Sequence, residues 1–249
     1  MFKNTIFLAL IAILLSACAS SMQPKDYSLF REANPRSVVI VPVINHSQEA
    51  EAADLFLTTL AIPLAERGYY VFPTNMVRSM MEEDGLADAH LVHSTETPIL
   101  GSLFGADAIL YVEILDWKSQ YALLSSSIVV EFLYTLKDAR TGALLWQDQQ
   151  QFIQQKGGSS GNIFADMIAA AITAGVDNAK SDYTPAAHMA NAMAMVPPGQ
   201  GLPFGPYSPN YGTDHELYAA TGSGHFSDAT EMAVSYPVSP QPADDQINE

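Results

Sequence analysis

The chain has 249 residues, with 27 acidic against 11 basic side chains, a formal charge of −16 and a single cysteine. A surface this acidic is repelled by phosphate backbones, which excludes general nucleic-acid binding. One cysteine leaves no disulfide to form within the chain.

The first stretch reads as an export signal. Lys3 supplies a positive n-region, and Ile6 to Leu15 an apolar run of the size of a secretory h-region, too short to span a bilayer. Leu15-Ser16-Ala17-Cys18 follows and resembles the bacterial lipobox, in which cleavage before the cysteine leaves it as the lipidated N-terminus. The expectation is a signal peptide over residues 1–17 and acylation at Cys18, with the lipid bilayer as the first partner. Three acyl chains anchor stably, since each buried CH₂ is worth about 0.8 kcal/mol. Ala19, rather than an aspartate, follows the cysteine and points to the outer membrane, facing the periplasm or the surface. Losing Lys3 takes the mature charge from −16 to −17. Residues 18–35 mix polar and turn residues without a period and read as the lipidated N-terminus and a tether.

Residues 36–180 read as one α/β domain. Arg36 to Val43 is a β-branched run typical of a strand buried on both faces, with Pro42 near its end. Phe56, Leu60 and Leu64 make a helical stripe ending at Gly68, and Pro63 inside it predicts a kink. Tyr69 to Phe72 is a second strand, so the start is a βαβ unit with parallel strands. Asn75 caps a helix carrying Met76, Met80 and Met81, and Thr97-Pro98 opens a short helix stopping at Gly105. Ala108 to Leu115 is a third buried strand.

Ser127 to Lys137 alternates cleanly and predicts an antiparallel strand. The turn Asp138 to Gly142 leads to a polar partner over Ala143 to Ile153, with its glutamines at an exposed sheet edge. Such an edge offers backbone groups to another copy, and a homo-oligomer is the expectation. Asn162 caps a last helix with Ile163, Met167 and Ala171 on one stripe. Residues 181–196 read as a helical or connecting segment. Residues 197–249 form an acidic tail rich in proline, glycine and tyrosine, expected to be disordered because it has no periodic apolar face.

Two constellations could carry chemistry. Gly157-Gly158-Ser159-Ser160-Gly161 is a literal G-x-S-x-G, which would make Ser159 the nucleophile of a periplasmic hydrolase. The strand before it is polar and hairpin-paired, and a flexible linker explains the glycines more simply. Asp88, His90 and His93 have a spacing a metal could use on a helix, but a fourth ligand is not evident, and surface histidines are the simpler reading. No phosphate-binding glycine loop occurs. The expectation is no catalytic residue, metal or cofactor.

Residues 63–73 (PLAERGYYVFP), 105–111 (GADAILY), 138–146 (DARTGALLW) and 162–171 (NIFADMIAAA) resemble a family of bacterial envelope lipoproteins of the meningococcal surface-antigen type. More distantly, the order of elements is similar to the α/β domain at the N-terminus of TolB and in the lipoproteins CsgG, PelC and LpoB. That resemblance implies a mixed sheet with a βαβ start and an antiparallel hairpin, with helices packed on it. It also implies a non-catalytic component of a secretion or cell-wall assembly that acts through envelope proteins. It carries over only Cys18, as the lipid site. No long alternating hairpin pair of the kind that builds the CsgG barrel is evident.

Overall fold

The structure is a computed structural model that describes residues 25–122, 125–155 and 184–222. Its centre is the strand β1 (Ser37–Ile40), where consecutive β-branched residues are buried on both sides. Val38 and Ile40 enter one hydrophobic cluster and Val39 and Val41 the other. A helix α1 (Ser28–Ala33) precedes β1, and a two-residue strand β2 (Ile44–Asn45) follows it. Helix α2 (Ala52–Glu66) then crosses one face of the sheet and leads to β3 (Tyr70–Val71), which pairs with β1 in parallel. The expected βαβ unit is present. Phe56, Leu60 and Leu64 are its fully buried stripe. Pro63 is buried too, and α2 continues past it to Glu66.

The return to the sheet uses the other face. Helices α3 (Thr74–Glu83), α4 (Ala89–Ser94) and α5 (Thr97–Phe104) bury Val77, Met81, Val92 and Leu100 against Val39, Val41, Ile109 and Tyr111. Helix α3 starts at Thr74, one residue ahead of the expected Asn75 cap. Gly105 closes α5 in a left-handed conformation at φ +65°, which a glycine adopts without steric cost. Gly101 of α5 allows a close approach: a Cβ there would lie 2.2 Å from the Ala139 carbonyl oxygen.

Three long strands complete the sheet: β4 (Ala108–Ala122), β5 (Ser125–Asp138) and β6 (Leu144–Gln155). The order is β3-β1-β4-β5-β6, with β2 also pairing β4. The first pairings are parallel, whereas β4/β5 and β5/β6 are antiparallel. The sheet is mixed, as the pattern predicts. The third strand runs well past the expected Leu115, and a register shift between Ile114 and Asp116 lets the ladder continue through the charged residues there. The result is the long hairpin that the sequence did not make evident.

Two expectations about the chain ends are corrected. Residues 25–35 belong to the fold, not to a tether: Tyr27 and Phe30 are buried in the main cluster. Residues 197–222 are packed on the body as a strap, with Leu202 and Tyr218 in the core and Asp214 buried. The strap has little regular structure, so its order comes from side-chain burial and long-range hydrogen bonds. These offset the entropy that composition alone suggested it could not recover. The connecting segment before it contains a helix, α6 (Thr184–Met195), packed against α2 and β6. The rest of the expected tail lies outside the described residues, as does the helix expected from Asn162.

Candidate functional site

Of the residues singled out from the sequence, Cys18 and Ser159 lie outside the described residues. The aspartate–histidine cluster is placed, and it does not converge. Asp88 caps α4, its carboxylate accepting the Leu91 N–H at 3.0 Å. His93 turns inward, and its Nε2–H donates to the Pro42 carbonyl at 2.9 Å. Burial pushes the His93 imidazole below the ordinary histidine value, which keeps it neutral and suits that role. His90 instead packs edge-on against His46 at 5.9 Å, and His46 Nε2 lies 3.0 Å from Glu113 Oε2. Among the described residues no group of three or more histidine, cysteine or carboxylate side chains is placed to hold a metal ion. The helical spacing is real, but it serves packing.

Topology makes a second location. β1 sends its connection to one face and β3 sends its connection to the other, so a crevice opens beyond the C-terminal end of β1 between α2 and α3. This is where open α/β sheets bind ligands. The crevice measures about 140 Å³ and is lined by Pro42, Val43, Asp54, Leu57, Arg78 and Glu82. Arg78 donates to Asp54 at 3.1 Å and to Glu82 at 2.9 Å, and these bonds raise its already high pKa. A guanidinium satisfied by two carboxylates has little left for an anionic ligand. This solvated network reads as a surface ion cluster of small energetic weight.

The most heavily built polar region joins the two ends of the described chain. Lys25 forms a buried ion pair with Asp148 of β6 and lies over the Trp146 ring at 5.1 Å. Arg31 donates to Asp214 at 2.9 Å, and the same carboxylate accepts the Phe204 N–H at 2.7 Å. Arg67, just past α2, holds the Leu202 carbonyl and the Tyr218 hydroxyl, and stacks over Phe204 at 4.2 Å. The hydroxyls of Tyr27 and Tyr69 donate to the Gly201 and Pro203 carbonyls at 2.6 and 2.8 Å, and Trp146 Nε1 donates to Gln200 O at 2.8 Å. Burial pushes both phenols far above the ordinary tyrosine value. These groups are locks on carbonyls, not proton donors to a substrate. The signal that could have revealed them is Leu202, Phe204 and Tyr218 in a stretch otherwise read as solvated.

The sheet itself is asymmetric. One face is covered across its width by α1, α2, α6 and the strap. The other is covered by α3 to α5 over β1 and β4. Over β5 and β6 it carries Glu131, Leu133, Thr135 and Lys137, all half-buried, beside Gln147, Gln149 and exposed Gln151. Gln147 donates to Thr135 at 3.0 Å, and Gln149 and Gln151 both donate to Glu131. Among the described residues no strand pairs with the outer side of β6, so it is the edge that its glutamines suggest. Gln147 and Asp148, however, are buried.

The chain is thus a mixed six-stranded sheet with helices on both faces. The chain belongs to the family described as "Putative lipoprotein GNA1162-like", whose profile matches residues 25–207. That span takes in both α1 and half of the strap. A protein of Neisseria meningitidis serogroup B described as "Putative lipoprotein NMB1124/NMB1162" is 32% identical over 169 residues, covering 67% of this chain and 79% of the relative. The crystal structure of lipoprotein GNA1162 from Neisseria meningitidis is similar at 30% identity and a TM-score of 0.49, over 58% of this chain and 100% of that one. A PelC dodecamer from Paraburkholderia phytofirmans is similar at 14% identity and a TM-score of 0.41, over 73% and 96% of the two chains.

Proposed function

We propose that this protein is a lipid-anchored, non-catalytic component of an envelope assembly, held at the outer membrane through acylated Cys18 and working by protein contacts. The observation that carries this reading is the β5–β6 half of the sheet, which none of the described helices covers and whose β6 edge pairs with no strand among the described residues. A face of amides, one carboxylate, one ammonium, Thr135 and Leu133 is suited to docking a protein, and a strand edge is suited to adding a strand. Family membership and the Leu15-to-Cys18 motif support the anchor. A homo-oligomer through the β6 edge is part of the same proposal.

The test is a set of variants in the lipidated chain, assayed for rescue of the envelope phenotype of a deletion strain. Cys18→Ser should abolish palmitate labelling and leave unprocessed precursor. Leu133→Arg and Gln151→Pro, if folded and lipidated, should lose rescue, and Gln151→Pro should shift the protein to a smaller mass by light scattering. Ser159→Ala should rescue fully. Loss of rescue by a folded, correctly located Ser159→Ala protein, with Leu133→Arg unaffected, would overturn the reading in favour of a hydrolase.

A further inference from the structure

The opposite edge of the sheet, at β3, is framed by aromatic rings. The Tyr70 and Phe72 N–H groups donate to the Arg36 and Val38 carbonyls at 2.9 and 3.2 Å, so Val71 between them turns its own N–H and C=O away from β1. Among the described residues no backbone group pairs with them. Three rings run inward from this edge: Tyr70 meets Phe72 edge-on at 5.2 Å, and Phe72 meets Phe104 of α5 at 6.3 Å. Tyr70 is 52% exposed, and Phe72 and Phe104 are half-buried. The strap brings a fourth ring to the start of β3 in Tyr207, 67% exposed, whose N–H donates to the Gly68 carbonyl at 3.0 Å.

Aromatic faces with N–H and O–H donors between them suit one kind of chain. A proline offers a carbonyl, a flat apolar ring and no N–H, and proline-rich segments are extended before they bind, so little entropy is lost in seating them. The residues between the prolines supply N–H groups for an acceptor such as the Val71 carbonyl. The body already holds one proline- and glycine-rich segment in this way, since Tyr27, Tyr69 and Trp146 donate to the Gly201, Pro203 and Gln200 carbonyls of the strap.

The chain contains a second such segment. Residues 232–243 carry no charged side chain and include Pro237, Pro240 and Pro242. The seat is uncharged too, as is the strap beside it over residues 197–213. The strap ends close by. The Gly222 N–H is held by Asp26 and Ser28 at the start of α1; Phe30, two residues on, meets the Tyr69 ring at 6.5 Å, and Tyr69 directly precedes Tyr70. Pro237 is fifteen residues past Gly222. A connection of that length spans about 20 Å as a coil and about 50 Å fully extended. It also sets an effective concentration on the order of millimolar. Even a weak contact is then occupied within one chain, whereas the same contact between two chains at micromolar concentration is not.

We propose that residues 236–242 of this chain's own tail seat on the Tyr70, Phe72 and Phe104 stripe at the Val71 edge, with Tyr207 beside them. The tail thus covers the backbone groups of β3 and confines strand addition by another chain to β6.

The test uses the full mature chain with p-benzoylphenylalanine replacing Tyr70, Tyr207 or, as a control, Leu91 of α4, all of them exposed side chains whose replacement leaves the core intact. Irradiation at micromolar protein, followed by peptide mapping, should join positions 70 and 207, but not 91, to residues 232–243 in a product of monomer mass. Pro237→Ala/Pro240→Ala/Pro242→Ala should reduce that product several-fold. A tail product undiminished by the triple substitution overturns the proposal, because a tail colliding at random with the body would give it. So does a product of dimer mass, which would put the tail of a second copy on the stripe, and so does the absence of any product with the tail.

Discussion

Lys25→Met tests the buried ion pair that fastens the chain's entry to the sheet. The Lys25 and Asp148 side chains are only 4% and 6% exposed, and Gln150 donates a further hydrogen bond to the same carboxylate. Burial lowers the lysine pKa and raises the aspartate pKa, in each case against the attraction of the partner. Both groups are thus pushed toward neutrality, so desolvation outweighs the pairing. Removing Lys25 strands a carboxylate in that environment, at a cost of about 3–5 kcal/mol. For a chain of this length that corresponds to a fall of about 10 °C in Tm. Without its partner Asp148 has its pKa raised further, so stability is lost as the pH rises from about 4, where the unfolded state releases the proton, to the folded-state pKa, where the folded state releases it too. The deficit should therefore shrink as the pH is lowered from the folded-state pKa toward about 4. The double variant Lys25→Met/Asp148→Leu should fall within about 1 kcal/mol of the wild type, or above it. Urea unfolding of the non-lipidated chain from Ala19, at pH 7 and pH 5, reads all of these. A deficit for Lys25→Met below about 1 kcal/mol, the value of a surface pair, together with additive losses in the double variant, would refute the buried pair.

Three other perturbations read separate parts of the structure. Gly101→Ala sets a Cβ 2.2 Å from the Ala139 oxygen and should cost about 1–3 kcal/mol by thermal unfolding, since backbone lies on both sides of the contact. Arg67→Ala frees the Leu202 carbonyl and the Tyr218 hydroxyl, so limited proteolysis should cut within residues 197–222 well before the sheet, whereas the wild-type strap survives. His93 has a depressed pKa in the fold, so the unfolded chain binds more protons as the pH drops below about 6.5 and stability is lost there. Relative to a His93→Gln variant, the wild type should lose stability between pH 7 and pH 5 in urea titrations.

Where a residue's role is set by its neighbours in sequence, the fold was legible. The β-branched run of β1, the Phe56, Leu60 and Leu64 stripe of α2 and the alternation of Phe132, Tyr134 and Leu136 all mark buried positions, because strand and helix periods act over a few residues. The length of β4 was not legible. Asp116 and Lys118 interrupt its apolar run, yet an antiparallel ladder is held by backbone bonds that are indifferent to side-chain polarity. The strap was the largest miss, for a related reason. Gln200, Leu202, Phe204, Asp214 and Tyr218 follow no period, and their partners Trp146, Arg31 and Arg67 lie in distant parts of the chain. Composition measures the entropy such a segment must lose but not the partners that compensate for it. For the candidate site, the edge character of β6 was readable from its glutamines. The burial of Asp148 was not, because it depends on a lysine 123 positions away.

The entry of the chain and its strap are bound to each other as well as to the sheet, and that bears on how an anchored protein carries load. Lys25 N–H bonds to Gly199 O, Tyr27 N–H to Ala219 O, and the Thr221 and Gly222 N–H groups to Asp26. The Tyr27 and Tyr218 rings meet edge-on at 5.1 Å. With the lipid at Cys18 as proposed, tension on the anchor reaches Lys25 first. It passes from there into the middle of β6 and into the strap, which α2 holds through Arg67. That load is shared among buried bonds on three elements. Cutting the strap should therefore weaken the N-terminal attachment even though the two segments are almost 200 residues apart in sequence. Arg67→Ala and Lys25→Met should accordingly show a coupling of the size found for residues in one network, about 0.5–3 kcal/mol, in a double-mutant cycle. Additivity within about 0.5 kcal/mol would show that entry and strap are fastened independently.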